Sequence, residues 1–338
     1  MIVPARWQRP LDQGRVRCEL CPRYCKIGVG QSGFCYVRRN LNGQLFLTTY
    51  SVVTGFGVDP IEKKPLNHFL PGTKILSFGT AGCSLGCRFC QNWSSSKARS
   101  DDVRSVEASP SQIVKLAKQQ SCPSIAYTYN EPTIFGEFVI DTARLAREQG
   151  LRNVMVTNGY ITPQAREDIY TWIDAANVDL KSFSEKFYHK LTYSHLKDVL
   201  ETIEWLVSKT KVWVELTTLL IPGYNDDPGE IKELSTWVRD HCGASTPLHF
   251  TAFHPDFKMR EVPPTPPPTL TRARSIAQQV GLRYVYVGNV YDPEGQTTYC
   301  PACGKALIER GGHNVAANRI KAGCCSCGEK IAGVFSEG

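Results

Sequence analysis

From Lys74 onwards, short apolar runs alternate with longer amphipathic stretches. The short runs are rich in β-branched and aromatic residues, and the longer stretches repeat apolar residues every three or four positions. Seven runs predict strands, at residues 74–80, 124–129, 153–158, 177–181, 211–222, 248–253 and 284–290. Strand–helix alternation of this kind predicts a parallel sheet, either open or closed into a barrel. Because no GxGxxG fingerprint follows the first strand, a full or partial (β/α) barrel is the favoured α/β architecture.

The intervening helices carry their own start signals. Ser109, Pro110 and Gln112 take the N-cap, N1 and N3 positions of the first predicted helix. This arrangement predicts a capping box. Thr162 precedes a second proline start. Asp227 and Glu230 predict a further capping box in front of another amphipathic stretch. The helices of the barrel are therefore expected to begin at these positions.

Polar or metal-binding side chains stand at the ends of several predicted strands. In (β/α) barrels, chemistry collects at the carboxyl ends of the strands, where the following loops meet around one mouth. The residues at these ends are Cys83, Asn130, Glu131, Asn158, Lys181 and His254. Such side chains are hard to explain as core, so they predict a functional site at the mouth.

Cysteine is the outlying feature of the composition. The 338-residue chain is 42% hydrophobic and carries a formal charge of +7, which suits a sizeable core under an ordinary solvated surface. It contains 14 cysteines, most of them in groups with the spacing of metal sites in a reducing compartment. No apolar run has the length of a signal-peptide core or a membrane span, so a cytoplasmic protein without a membrane partner is expected.

The central cysteine group follows the first predicted strand. Cys83, Cys87 and Cys90 have C-x₃-C-x₂-C spacing. Three thiolates can hold three irons of a [4Fe–4S] cluster and leave the fourth iron open to a small molecule. A zinc loop lacking its fourth ligand, or three unrelated buried cysteines, is the alternative interpretation.

A second group lies near the N-terminus. Cys18, Cys21, Cys25 and Cys35 have C-x₂-C-x₃-C-x₉-C spacing. Four thiolates suit either tetrahedral zinc or a closed iron–sulfur cluster. Zinc is preferred here, because nothing in the segment supplies an electron-transfer rationale.

The third group lies in the C-terminal tail. Two CxxCG knuckles, Cys300/Cys303 and Cys324/Cys327, predict a zinc ribbon and leave Cys325 as the spare cysteine. These modules divide the chain into residues 1–72, a barrel at 73–292 and a ribbon at 293–338. A non-catalytic zinc or nucleic-acid-binding protein is the rival hypothesis. Nucleic acid is disfavoured as a partner because the chain lacks an interleaved stripe of aromatic and basic residues.

The octet CSLGCRFC, from Cys83 to Cys90, resembles the cluster loop of radical S-adenosylmethionine (SAM) enzymes, which has the pattern Cys-x-x-x-Cys-x-aromatic-Cys. From about Cys18 onwards, the chain resembles the pyruvate formate-lyase activating enzyme-like branch of that superfamily. Within the branch it is most similar to the radical SAM enzyme of the AmmeMemoRadiSam system. The stretches that carry the resemblance are CELCPRYC, DPIEKKPLNHFLPG, CSLGCRFCQNW, YTYNEPTIFGEF, VTNGY, VDLKSFSEKFY, LLIPGYNDD, TAFHPDFKM and VYVGNVYDPEGQTTYCPACG.

The resemblance implies a partial (β/α)6-type barrel with a [4Fe–4S] cluster at its mouth and SAM bound to the open iron. Glu131 would hold the SAM amino group, and Asp179 and Lys181 would contact its ribose and carboxylate. The remaining positions matched to cofactor-binding residues of the family are Tyr129, Asn130, Thr157, Asn158 and His254. Tyr129 and Asn130 replace the glycines of the family's Gly-Gly-Glu strand end. Val156 stands where enzymes of this branch often have an acidic residue that contributes to a monovalent-cation site. The resemblance therefore does not predict such a site in this chain.

The activity implied by the resemblance is reductive cleavage of SAM to a 5′-deoxyadenosyl radical that abstracts hydrogen from a substrate. Flavodoxin or ferredoxin would supply the electron. The substrate is either a small molecule or a protein, including partner proteins of the AmmeMemoRadiSam system. The alternative is an activase for a glycyl radical enzyme. A non-activase substrate is favoured, because the two terminal cysteine modules are expected to flank the barrel mouth.

Overall fold

One eight-stranded sheet organises the computed structural model, which describes residues 1–99 and 103–335. Its strands alternate with six helices in the order that the hydrophobic pattern predicts. The strands are β1 (Gly55–Pro60), β2 (Lys74–Gly79), β3 (Ser124–Tyr127), β4 (Arg152–Thr157), β5 (Ala175–Asp179), β6 (Trp213–Leu220), β7 (Leu248–Ala252) and β8 (Val285–Gly288). The helices are α1 (Pro110–Gln119), α2 (Gly136–Glu148), α3 (Pro163–Tyr170), α4 (Leu196–Lys209), α5 (Pro228–Cys242) and α6 (Pro267–Val280).

The strands follow one another across the sheet in sequence order, from β8 at one edge to β1 at the other. Strands β2 to β8 pair in parallel, whereas β1 pairs antiparallel to β2. Within residues 1–99 and 103–335, β1 and β8 are not paired with each other, so the barrel is open on one side. The prediction of a partial (β/α)6-type barrel is confirmed.

Local capping sets where the helices begin. Ser109 and Gln112 form the predicted reciprocal capping box. Asp227 is also an N-cap, since its carboxylate accepts from the N–H groups of the first turn of α5. The second half of its predicted capping box is absent. The Glu230 carboxylate instead accepts bonds from the Ser182 hydroxyl and the Phe183 N–H, so a tertiary contact replaces the local one.

The N-terminal module consists of two small antiparallel sheets. Its hydrophobic residues belong to the same core cluster as the barrel and its helices. One sheet contains Gln8–Pro10, Val16–Cys18 and Lys26–Ile27, and the other contains Val3–Pro4, Arg38–Leu41 and Gln44–Leu47. A separate two-stranded ribbon pairs Val52–Val53 with Val106–Glu107.

The C-terminal module is a three-stranded antiparallel sheet of Thr298–Tyr299, Ala306–Gly311 and Asn314–Asn318. It packs in a separate hydrophobic cluster that includes Tyr284 and Tyr286 of the last barrel strand region. Shorter helical segments are Asp12–Gly14, Ile61–Lys63, Trp93–Ser96, Pro132–Phe135, Glu185–Phe187, Tyr188–Thr192 and Pro293–Gln296. Among the described residues, none of the helices combines the length and apolar character needed to cross a bilayer.

The two terminal modules lie at opposite ends of the barrel. The N-terminal module contacts the carboxyl ends of the strands, where the Thr162 hydroxyl donates to the Glu19 carbonyl at 2.7 Å. The C-terminal module contacts the amino ends, where His68 Nδ1 lies 2.6 Å from the Ala332 carbonyl and Tyr284 precedes β8. The structure therefore differs from the expectation that both modules flank the mouth, because only the N-terminal one does.

Residues 61–70 form a floor segment across the amino end of the barrel interior. The Asn177 amide donates to the Pro65 carbonyl at 2.8 Å. The Glu215 carboxylate accepts the N–H groups of Asn67 at 2.9 Å and His68 at 2.7 Å. Inward-facing side chains of β5 and β6 thus bind the floor segment through its main chain. The barrel is closed at the amino ends of its strands and open at their carboxyl ends.

Candidate active site

The loop that carries the central cysteines is held in place by Asn130. Its Oδ1 accepts the Thr80 N–H at 3.1 Å, and its amide group donates to the Gly82 carbonyl at 2.9 Å. Gly79 allows this approach, because a Cβ there would lie only 2.4 Å from the Thr128 carbonyl oxygen. Asn130 was predicted as a cofactor-binding residue. It lines the central cavity, and its side chain braces the loop.

Cys83, Cys87 and Cys90 line a cavity of about 530 Å³ at the barrel mouth, which is the central cavity of the structure. Burial raises the pKa of Cys83 to about 12, against the lowering effect of Lys97. Burial also raises the pKa of Cys87. Thiols shifted in this direction stay protonated at neutral pH until a metal displaces the proton. Cys83 and Cys87 are therefore suited to metal ligation rather than to nucleophilic attack as free thiolates.

Glu131 connects the ends of β3 and β4. Its Oε1 accepts the Thr157 hydroxyl at 2.7 Å and the Thr133 N–H at 2.9 Å, and its Oε2 accepts the Asn158 N–H at 2.8 Å. Burial raises the pKa of the Glu131 carboxyl, and these hydrogen bonds act in the opposite direction. Since each carboxylate oxygen can accept about two hydrogen bonds, Oε2 keeps one acceptor position beside the cavity.

Asn158 links this strand end to the cysteine loop. Its amide donates to the Ser84 hydroxyl at 3.1 Å and lies 3.9 Å from the Cys83 sulfur. The four predicted residues Asn130, Glu131, Thr157 and Asn158 all line the central cavity. They form one hydrogen-bonded wall that positions the first cysteine.

Asp179 and Lys181 form an ion pair beside this wall, at the end of the neighbouring strand β5, with 2.8 Å between the carboxylate and Nζ. Burial opposes the charge of Lys181, but the Asp179 carboxylate and the Cys87 thiol outweigh it and raise the pKa of the ammonium group. Lys181 therefore stays charged beside the cysteine loop, where its Nζ lies 5.9 Å from the Phe89 ring centroid. The prediction that the pair faces the mouth agrees with this placement.

Tyr129 adopts a left-handed backbone conformation with φ of 70°, which favours glycine. This is the position at which the related family has a glycine. Here the tyrosine hydroxyl donates to Asp59 at 3.2 Å, and the ring lies 5.0 Å from Lys64 Nζ. The side chain thus connects the mouth to the edge strand β1.

His254 does not join the other predicted residues. Its ring is exposed, and Nδ1 lies 3.1 Å from the adjacent Pro255 carbonyl. It is not among the residues that line the central cavity. The sequence places it correctly after β7, but its ring stays in solvent while the following residues contact the cysteine loop, where the Lys258 N–H donates to the Arg88 carbonyl at 3.0 Å.

Several cavity residues were not predicted from the sequence. They come from the floor segment and from inward-facing positions of three later strands or their ends. These residues are Lys64, Pro65, Thr217, Leu219, Thr251 and Asn289. The polar, proline-punctuated stretch around Lys64 was a visible signal. Its contact with the cavity depends on the floor segment lying across the barrel interior, which the sequence pattern does not indicate.

In the C-terminal module, the thiols of Cys300, Cys303, Cys325 and Cys327 lie within 4.8 Å of one another. The Cys300 and Cys327 sulfurs are 3.6 Å apart, and those of Cys303 and Cys325 are 3.7 Å apart. Sulfurs around one zinc ion at about 2.3 Å would be about 3.8 Å apart in tetrahedral geometry. The spacing fits a single tetrahedral ion.

This placement corrects the prediction of Cys324 as a zinc ligand with Cys325 as the spare. The main chain of Cys324 forms bridges with Lys321 and Lys330. Adjacent residues in extended chain project to opposite sides, so only one of the two cysteines can face the group. Cys325, which is buried, is the one that does.

The N-terminal cysteines Cys18, Cys21, Cys25 and Cys35 line a common space, as predicted. Burial raises the pKa of Cys18 to about 12 and also raises the pKa of Cys35, with Arg38 opposing both shifts. Like Cys83 and Cys87, these two thiols need a bound metal to become thiolates at neutral pH.

The family model of the Radical SAM superfamily matches residues 78–234, which include the cysteine loop and strands β3 to β6. An uncharacterized protein of Methanocaldococcus jannaschii is 45% identical over 97% of this chain and 98% of its own length. The pyruvate formate-lyase 1-activating enzyme of Escherichia coli is 22% identical, with 64% of this chain and 93% of the enzyme aligned.

Among solved structures, a radical SAM methyltransferase from Sphaerobacter thermophilus has a similar fold. Its TM-score is 0.50 at 15% sequence identity, and the match covers 86% of this chain and 78% of that chain. The family match falls on the same loop and strand ends that line the central cavity. Residues 78–234 are therefore a radical SAM domain, and proteins of this superfamily are enzymes that bind SAM at an iron–sulfur cluster.

Proposed function

We propose that this enzyme cleaves SAM reductively and uses the resulting radical to abstract hydrogen from a substrate bound in the central cavity. The observation that carries the proposal is the cavity itself, which joins Cys83, Cys87 and Cys90 to Glu131 and Lys181. When bound, the [4Fe–4S] cluster and SAM supply a 5′-deoxyadenosyl radical.

The protein residues have distinct tasks in this proposal. The cysteine triad holds three irons and leaves the fourth open. Asn130 and Asn158 keep the loop against β3 and β4. The free acceptor position of Glu131 suits the SAM amino group, and Lys181 beside Asp179 suits its carboxylate. The closed floor keeps bulk water from entering through the amino end of the barrel.

The substrate enters from the mouth, because the floor segment occupies the amino end. Lys64 in the floor is paired with Asp59 at 2.7 Å and faces the same cavity. We propose a small molecule or a protein side chain as substrate rather than a glycyl radical enzyme. The N-terminal module packs against the cysteine loop beside the mouth, where Arg23 donates to the Ser84 carbonyl, and this placement supports the choice. The proposed electron donor is a flavodoxin or ferredoxin in the cytoplasm. The proposed protein substrates are the partners of the AmmeMemoRadiSam system.

Zinc is the proposed metal of the C-terminal set Cys300, Cys303, Cys325 and Cys327. The sulfur separations of 3.6 and 3.7 Å support this choice. The module packs against the amino end of the barrel, away from the mouth. Its proposed role is therefore structural.

The test of SAM cleavage uses the full chain, reconstituted anaerobically with iron and sulfide and reduced with dithionite. Formation of 5′-deoxyadenosine and methionine is expected. Cys83→Ala should abolish it, whereas the matched control Cys122→Ala should retain it, because Cys122 lies outside the cavity. Equal rates in the two variants would refute the proposal.

A second experiment identifies the class of substrate. Candidate substrates are deuterated and incubated with enzyme and SAM, and deuterium transfer to 5′-deoxyadenosine is measured by mass spectrometry. Transfer from a small molecule or an AmmeMemoRadiSam partner protein supports the proposal. A stable glycyl radical on an added glycyl radical enzyme would establish the activase alternative instead. An adjacent gene for such an enzyme would point the same way.

A further inference from the structure

The N-terminal cysteines surround a closed space between their module and the central cysteine loop. Ser84, which follows Cys83 directly, lines this space together with the four thiols. Its cavity volume is about 10 Å³. A metal bonded to a thiolate lies about 2.3 Å from the sulfur, much closer than a water molecule can approach. The space can therefore hold a compact metal core that is bonded to its walls.

The spacing of the N-terminal thiols can be compared with that of two other cysteine groups in the chain. These are the C-terminal set and the triad of Cys83, Cys87 and Cys90. A single ion draws all its ligands together, whereas each thiolate of a cubane binds a different iron and the sulfurs stand farther apart. Among the described residues, only the C-terminal set brings three or more ligating atoms within 4.8 Å of one another. The triad of Cys83, Cys87 and Cys90 does not, and neither does the N-terminal set. The N-terminal cysteines thus share with the triad the property that their sulfurs are not drawn together as they would be around one ion.

The charge around this space fits an anionic cluster. Arg23 lines it, donates to the Ser84 and Tyr193 carbonyl oxygens, and stacks 3.5 Å from the Phe34 ring centroid. Within residues 1–99 and 103–335, Arg23 has no ion pair with a carboxylate. Its positive charge is therefore free to compensate four thiolates and their metal core, which carry net negative charge.

A glycine completes the wall. Gly33 lines the space, and a Cβ at this position would lie 3.6 Å from the Cys25 sulfur and 3.2 Å from Ile27. A larger side chain would extend into the space or displace the cysteine. The chain thus approaches the four thiols closely without filling the volume between them.

We propose that Cys18, Cys21, Cys25 and Cys35 hold a second [4Fe–4S] cluster rather than the zinc ion that the sequence pattern favours. Four protein ligands leave no open iron, so this cluster does not bind SAM. It lies directly beside the loop of the first cluster, because Ser84 forms part of its wall. The position supplies the electron-transfer rationale that the sequence alone lacks.

The test counts metals and sulfide in the full chain after anaerobic reconstitution. The expected content is about eight iron and eight sulfide per chain in the wild type, since each cubane contains about four of each. The combined variant Cys83→Ala, Cys87→Ala and Cys90→Ala should keep about four of each. Mössbauer spectra of this variant should show one fully cysteine-ligated cluster that does not change when SAM is added.

The opposite result is a wild type with about four iron per chain and zinc bound at the N-terminal set. The triple variant would then contain no iron or sulfide. Either observation overturns the proposal. The wild-type count does not depend on whether a variant folds, and circular dichroism checks the triple variant. The result is also separate from SAM cleavage, which reports only on the first cluster.

Discussion

The two terminal modules each contain four cysteines that line a common space or group, but they hold their sulfurs at different distances. In the C-terminal module the four sulfurs lie within 4.8 Å of one another. In the N-terminal module the thiols line a wider space that extends to the central cysteine loop. Two sets of four cysteines that share only a first C-x₂-C pair thus form different sites, because the surrounding fold sets how closely the chain segments approach.

The modules also differ in their attachment to the barrel. The N-terminal module shares the main hydrophobic core and is tied to α2 by the buried pair Arg38–Glu137. The C-terminal module packs around Tyr284 and Tyr286 in a separate cluster and contacts the floor segment through His68. One module is therefore part of the catalytic end, and the other closes the opposite end.

The largest expected effect is on the C-terminal site. Cys325→Ser should abolish zinc binding and unfold the module, because structural zinc supplies on the order of 10 kcal/mol of binding free energy in small modules. Cys324→Ser is the matched control and should retain zinc, since Cys324 does not face the group. Zinc content and limited proteolysis of both variants measure the difference. Loss of zinc from Cys324→Ser instead would restore the original ligand assignment.

The next largest effect is expected from a substitution that weakens the attachment of the N-terminal module to the barrel. Glu137→Ala leaves the Arg38 guanidinium buried without its bidentate partner, whose distances are 2.8 and 2.6 Å. Breaking such a buried pair is expected to cost about 3–5 kcal/mol of unfolding free energy. Glu309→Ala removes the exposed pair with Arg319 in the C-terminal module and should cost less than about 1 kcal/mol. Denaturant unfolding measures the free energy of unfolding of both variants. Similar losses in Glu137→Ala and Glu309→Ala would contradict the expected difference between the buried and the exposed ion pair.

Acidification should weaken the C-terminal attachment. Burial lowers the pKa of His68 to about 4, with Glu215 opposing the shift and Arg310 and His249 supporting it. The unfolded chain binds this proton near pH 6.5, so the stabilising contribution is complete above that pH and is lost as the pH falls towards 4. The loss is about 3 kcal/mol at most.

Hydrogen exchange of the C-terminal module at pH 7 and pH 5, corrected for the intrinsic exchange rate, measures this effect. His68→Gln keeps hydrogen-bonding capacity without titrating near neutral pH, and it should show a flatter dependence between these values. An unchanged dependence in that variant would exclude His68 as the titrating group.

The smallest expected effect is at the contact between the N-terminal module and α3. Thr162 is the N-cap of α3 and also donates to the Glu19 carbonyl at 2.7 Å. Thr162→Ala should cost about 1–2 kcal/mol, because a cap and an inter-module hydrogen bond are both lost. Ser109→Ala removes a cap only and should cost about 1 kcal/mol. Identical hydrogen exchange of the N-terminal module in both variants would mean that the Thr162 contact does not help to fasten it.

Local patterns in the sequence determined much of the fold and of the catalytic end. Apolar periodicity predicts all seven parallel strands, because burial of one strand depends on its own side chains. The spacing of Cys83, Cys87 and Cys90 predicts the ligand triad. The strand-end positions of Glu131, Thr157, Asn158 and Lys181 place them in the cavity, as the structure shows. His254 shows the limit, since it follows β7 as predicted but its ring is exposed and does not line the cavity.

The tertiary structure decided what depends on side-chain direction and on distant segments. The CxxCG spacing favours Cys324, and only the direction of the chain selects Cys325. The floor segment, with Lys64 in the cavity, requires contacts to β5 and β6 that lie more than 100 residues away in sequence. The separation of the N-terminal sulfurs is set by the packing of their module against the central loop. Sequence spacing indicates which residue types and segments supply the ligands, whereas the choice between adjacent cysteines and the distances between the ligands are properties of the packed chain.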